Sequence, residues 1–243
     1  MLLPCIFSGL FVAPTLQAAC AAKKADAPAR LFESALQRQE ERHQALLART
    51  AGDQNPYDLH QELGSLMTRV ATVVRRNDEL AAAYDDVCDM EARWQRCAVS
   101  DTGNWTNQNV VFTKALGDMF PLAKLILKGA LLRDECRGAH FKPEFAMPGI
   151  AATDPAGKRR EAEQWCDRFD ENTRKWLKST VAACEPDGSP RISYQDVDTS
   201  LITPRPRLYG LVGADVIEEV WKERQGGANG RAAAAGQPVG AAS

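Results

Sequence analysis

The stretch NQNVVFTKALGDMFPLAKLILKGALLRDE, Asn107–Glu135, carries the longest uninterrupted apolar periodicity in the chain. Phe112, Leu116, Met119, Ala123, Ile126 and Leu127 recur at spacings of three and four, the repeat of one face of an α-helix. Lys114, Asp118, Lys124 and Lys128 interrupt the run, and four charges in a bilayer core are costly, so it reads as a core helix of a water-exposed fold. Pro121 removes one backbone bond and is expected to bend it.

Three further helices are expected upstream. Ala29–Ala48 places Leu31, Leu36, Leu46 and Leu47 among Glu, Gln and Arg, as an amphipathic helix does. Asn55-Pro56 joins a capping side chain to a proline at the first helical position and predicts a helix through Leu59, Leu63 and Leu66 towards Arg76. Asn77 or Asp78 then caps a helix through Leu80, Tyr84, Val87, Glu91 and Trp94, stopping near Ala98. Together these make an antiparallel bundle of three to four helices.

After Gly138 the texture changes. Pro143, Pro148, Gly149 and Pro155 mark a loop, and a short helix is expected around Glu161–Asp170. Lys175–Ala183 and Arg191–Asp196 flank Pro186-Asp187-Gly188, the turn chemistry of a β-hairpin. The expected class is therefore mainly α, a helical bundle followed by a small α+β unit with a hairpin. From Gly226 the sequence is Gly, Ala, Asn, Arg, Gln and Pro, the composition of a disordered tail.

The 243 residues are 44% hydrophobic and 26% charged, with a net charge of -2, which suits a folded core and gives no broad basic field for nucleic acid or anionic lipid. Seven scattered cysteines without a C-x-x-C pair suggest reduced thiols, and three isolated histidines give no metal-binding spacing. The apolar run Met1–Ala22 imitates a secretory signal, yet no Lys or Arg precedes it and Pro4 and Pro14 interrupt it. Export is the minority reading.

Arg133-Asp134-Glu135-Cys136-Arg137-Gly138-Ala139-His140 is the densest polar cluster. Gly138 is expected as a left-handed helix C-cap, and Asp134 and Glu135, disfavoured by the helix dipole, are expected to pair with arginines or to reach another domain. His140 has the reference pKa of an acid or base, but no nucleophile or carboxylate lies beside it in a known pattern, so packing or an interface is favoured. Pro204-Arg205-Pro206-Arg207 should be extended and hold two guanidiniums outward. No glycine-rich nucleotide loop, P-loop, nucleophile elbow or zinc-protease motif occurs.

Several segments taken in order resemble the C-terminal third of succinate dehydrogenase and fumarate reductase flavoprotein subunits. They are NPYDLHQELGSLMT (Asn55–Thr68), GNWTNQNVVFTKALGDMF (Gly103–Phe120), RDECRGAHFKPEF (Arg133–Phe145), ENTRKWLKSTVA (Glu171–Ala182) and ISYQDVDTSLITPRPRLYG (Ile192–Gly210). Arg137, Gly138 and His140, with Lys142 and Glu144, look like the family's signature here, in a structural or interface role. LLPCIFSGLFVAP, Leu2–Pro14, is similar to the segment that closes the family's flavin domain, so Leu2 and Leu3 are the implied cofactor-binding positions.

The resemblance implies FAD-dependent oxidation of succinate to fumarate, with electrons passed to an iron-sulfur subunit and a membrane anchor subunit. It also implies that the flavin-linking and substrate-holding segments lie upstream of Met1, so that no catalytic residue falls within the chain and the fragment is inactive alone. The implied domains are 1–25, a remnant of the FAD-binding domain; 26–136, a helical bundle; 137–225, a small α+β domain; and 226–243, the tail. The implied location is the cytoplasmic side of the membrane, peripheral through partner subunits. The rival readings are the C-terminal region of L-aspartate oxidase and a non-enzymatic helical interaction module.

Overall fold

The computed structural model describes residues 2–22, 28–103, 105–185, 187–200 and 203–235, with side chains from residue 6 to residue 226. Its elements are α1 (Leu2–Ala22), α2 (Ala29–Leu47), α3 (Pro56–Val70), α4 (Asn77–Trp94), α5 (Gln108–Leu131), a 3-10 turn (Pro143–Phe145), α6 (Pro155–Trp176), β1 (Lys178–Cys184), β2 (Pro190–Asp196) and α7 (Ala214–Ala235). The fold is mainly helical with one two-stranded antiparallel hairpin. Among the described residues no helix is long and apolar enough to cross a membrane.

The chain divides into two compact units. The first contains α1, α2 and the strip Val99–Val110. The Val99 amide donates to the Arg49 carbonyl at 2.7 Å. Asn107 fixes the start of α5, its side chain accepting from the Val110 amide at 2.9 Å while donating to the carbonyls of Asp101 and Gly103. Ile6, Phe7, Leu10, Phe11, Val12 and Leu16 of α1 are each more than half exposed.

The second unit, Ala51–Ala98 with Val111–Ser243, holds the other elements around two apolar cores. In the first core, Leu59, Leu63, Leu66 and Val70 of α3 meet Leu80, Ala83, Val87 and Met90 of α4 and Leu116, Phe120, Ala123 and Leu127 of α5. Asn55 caps α3 as its sequence predicts, accepting from the Tyr57 amide at 3.0 Å with Pro56 behind it. The buried stripe of α5 keeps Leu116, Ala123 and Leu127 as expected and adds Phe120, whereas Met119 and Ile126 are exposed. Gly117 makes this packing possible, because a Cβ there would lie 2.3 Å from the Trp94 ring.

In the second core α6 packs on α7 through Ala162, Trp165, Cys166, Ile217 and Val220, joined by Ile150. α6 is much longer than the Glu161–Asp170 helix expected. Asp154 accepts from the Gly157 amide at 2.8 Å and Pro155 stands at the first helical position, so the helix begins at the proline that composition assigns to a loop. β1 and β2 pair from Lys178↔Asp196 to Cys184↔Pro190, and Gly188 turns between them at φ +80°. α7 continues to Ala235, past Gly226 into the segment whose composition suggests a tail; 236–243 lie outside the described residues.

Candidate functional site

α5 ends at Leu131, four residues before Glu135, and the polar cluster is built on the chain that leaves it. Glu135 is fully buried, and its carboxylate accepts from Arg133 Nε at 2.6 Å and from Arg137 Nε at 2.9 Å. Two guanidiniums on one carboxylate give a compact, net-positive knot. Arg133 spends its remaining donors on the hairpin side: the Trp176 carbonyl, the Lys178 carbonyl at 3.1 Å and the Thr180 hydroxyl at 2.9 Å. One side chain therefore ties the end of α5 to the junction of α6 and β1.

Lys142 is also fully buried. Its ammonium donates to the Leu131 carbonyl at 3.0 Å and to Asp134 Oδ1 at 2.9 Å, and lies 5.7 Å from the centre of the Phe145 ring. A cation on the last carbonyl of a helix complements the helix dipole. Burial pushes the Asp134 carboxyl up, but bonds from Lys142 and Asn77 outweigh it and hold the group below its ordinary value. Burial raises the Cys136 thiol, which donates to the Lys142 carbonyl at 3.2 Å.

His140 is clamped at both nitrogens. Nδ1 lies 2.7 Å from a guanidinium nitrogen of Arg75, and Nε2 lies 2.8 Å from the Arg133 carbonyl. A guanidinium can only donate and a carbonyl can only accept, so the ring must be the neutral tautomer with its proton on Nε2. Burial accordingly lowers its pKa, with the charge of Arg75 acting in the same direction. Arg75 reaches this place through the backbone: its amide donates to the Phe141 carbonyl at 2.9 Å, and the Phe141 amide donates to the Val73 carbonyl at 3.1 Å. The α3–α4 link and the segment after α5 are thus stitched together.

The structure brings Arg137, His140 and Lys142 into this cluster. Gly138 is not the helix cap its sequence suggests. It sits at φ +62° in a tight turn closed by paired backbone bonds between Arg137 and His140, because the helix has already ended at Leu131. Glu144 is exposed in the 3-10 turn and makes no ion pair among the described residues. The side chains of Leu2 and Leu3 lie outside the described residues. Arg75 has no local sequence signal, since it meets His140 across 65 positions.

Among the described residues no group of three His, Cys, Asp or Glu side chains is placed to hold a metal ion. The donors of Arg133, Lys142 and His140 are committed to protein acceptors, so the cluster does not fit a flavin pyrophosphate. Chemically the cluster can lock together the four segments it draws from.

The arrangement of helices and hairpin is that of the C-terminal part of a flavoprotein subunit. The E. coli quinol fumarate reductase FrdA superposes with a TM-score of 0.60 at 24% identity, covering 78% of this chain and 29% of that one. Residues 60–209 match the family described as "Fumarate reductase flavoprotein C-term", and the chain belongs to that family. The succinate dehydrogenase flavoprotein subunit of Bacillus subtilis is 36% identical over 185 residues, 76% of this chain and 28% of that protein. The fumarate reductase flavoprotein subunit of Haemophilus influenzae is 28% identical over 164 residues, covering 68% and 24%. The chain spans about a quarter of the length of the relatives it matches.

Proposed function

We propose that this chain serves as the C-terminal scaffold of an FAD-dependent succinate dehydrogenase or fumarate reductase flavoprotein subunit. In this reading the complete subunit interconverts succinate and fumarate on FAD and passes electrons to an iron-sulfur subunit and a membrane anchor subunit, on the cytoplasmic side of the membrane. Residues 1–25, with Leu2 and Leu3, belong to the end of the flavin domain. Residues 26–136 are a helical domain, and 137–225 a small α+β domain that supports the flavin domain's geometry. The family match over 60–209 carries the assignment. The internally satisfied cluster around Glu135 supports a holding role rather than a catalytic one.

The test is a graft. Residues 60–209 replace the corresponding segment of the Bacillus subtilis succinate dehydrogenase flavoprotein subunit. The expected hybrid retains bound flavin and an unchanged KM for succinate, since the substrate contacts lie elsewhere. A hybrid that folds and keeps its flavin but shows a KM raised about tenfold or more would mean that this segment touches substrate.

A further inference from the structure

Beside the ionic cluster, the second unit opens into a cleft of about 560 Å³ between the Arg137–Met147 segment, α6 and the extended run Arg205–Leu211. Among the described residues three arginines, Arg137, Arg205 and Arg207, line it, and no Asp or Glu does. Trp165 and Phe169 form an aromatic wall, their rings stacked with centroids 5.8 Å apart and 9° between planes.

The charges are only partly compensated within the fold. Arg137 shares the single carboxylate of Glu135 with Arg133, and Arg205 shares Glu218 with Lys222. Arg207 is exposed and has no ion-pair partner among the described residues. The Trp165 indole Nε1 is buried without a hydrogen-bond partner in a residue only 8% exposed. An orphaned buried donor is costly, and this one belongs to a residue that lines the cleft.

We infer that this cleft binds an acidic polypeptide segment of a partner protein, a carboxylate side chain meeting the guanidiniums while an adjacent apolar side chain lies on Trp165 and Phe169. Guanidiniums pair with carboxylates through two parallel N–H bonds. Arginine and tryptophan are also the side chains that most often dominate protein interfaces. A polypeptide is favoured over a free acid because the cationic groups are spread over two separate segments beside an apolar wall, which suits an extended chain with alternating acidic and apolar groups.

The probe is a short synthetic peptide in which two glutamates flank a phenylalanine, titrated into the whole chain while the indole N–H resonance of Trp165, assigned with Trp165→Phe, is followed by NMR. The expected result is saturable binding that shifts this resonance, about tenfold weaker for Arg207→Ala and partly restored in Arg207→Lys. Arg207 is exposed, so its variants keep the native melting transition. The peptide with glutamine in place of glutamate should not bind. No binding, equal binding of the glutamine peptide, or binding indifferent to Arg207→Ala would overturn the inference. So would equally tight binding of glutarate, which would make the cleft a site for small free acids.

Discussion

The ammonium of Lys142 lies 3.0 Å from the carbonyl of Leu131, so the last turn of α5 is capped by a residue eleven positions further along the chain. The same ammonium holds Asp134 at 2.9 Å in a position with no solvent exposure for the lysine. Removing one partner of a buried pair strands the other, which is far costlier than losing a surface bridge. Lys142→Ala should lower stability by about 3 kcal/mol in urea denaturation. Asp134→Asn leaves the fully buried ammonium without its counter-charge and should cost a comparable amount, although the amide oxygen still accepts from the lysine.

His140 sets a pH dependence whose sign follows from its clamp. Burial, joined by the charges of Arg75 and Lys142, lowers its pKa in the folded protein, against the contrary pull of the Arg133 carbonyl and Glu135. The unfolded chain, with its histidine near the ordinary 6.5, therefore takes up the proton first as pH falls. Stability should decline from about pH 6.5 downward until the folded-state pKa is passed, below which this contribution levels off. His140→Gln keeps an acceptor for Arg75 and a donor for Arg133, and should flatten that decline in melting curves taken between about pH 7 and pH 5. Asp134 acts in a separate, more acidic window, since its folded pKa lies below the usual carboxylate value and stability is lost only as pH falls through it.

Gly117 sits where α5 passes the Trp94 ring, whose Nε1 donates to the Thr113 carbonyl at 2.8 Å. That hydrogen bond leaves the ring little freedom to retreat from an added methyl. Gly117→Ala gains helix propensity, yet overpacking should prevail and lower stability by about 1–3 kcal/mol. Gly64, with nothing near its missing Cβ, is the control: Gly64→Ala in α3 should stabilise by up to about 1 kcal/mol. Chemical denaturation of the two variants separates the effects.

α1 is apolar on every side, the pattern of a helix built to be surrounded. Its Phe7 and Phe11 rings pack together at 4.7 Å between centroids but leave each residue more than half exposed. The chain should therefore self-associate as concentration rises. Phe7→Lys with Phe11→Lys should shift it towards monomer in light scattering, leaving the melting of the second unit unchanged.

How far the sequence discloses this structure depends on the range of the forces involved. The cap at Asn55-Pro56 and the periodicity of α3 and α4 are local, and the helices appear where those signals lie. The same cap-proline pair at Asp154-Pro155 is equally local, but the neighbouring prolines disguise it as loop. The pairing of Glu135 with arginines follows from the cost of acidic groups at a helix end. Its partners' further bonds, Arg133 to Trp176 and Lys178, and Arg75 to His140, join residues more than forty positions apart and leave no spacing to read. Gly138 lies seven residues beyond the end of α5 at Leu131, where Lys142 from outside the helix meets the last carbonyl, and no local signal marks that early stop.

If the chain is a scaffold, its polar residues hold the fold together and the chain by itself neither keeps flavin nor oxidises succinate. Succinate-dependent reduction of an artificial electron acceptor by the purified chain, read beside its visible absorbance, separates a scaffold from a redox enzyme. No flavin band and no acceptor reduction above a protein-free blank are expected. A copurifying flavin that succinate bleaches, with turnover by the chain on its own, would contradict the scaffold reading.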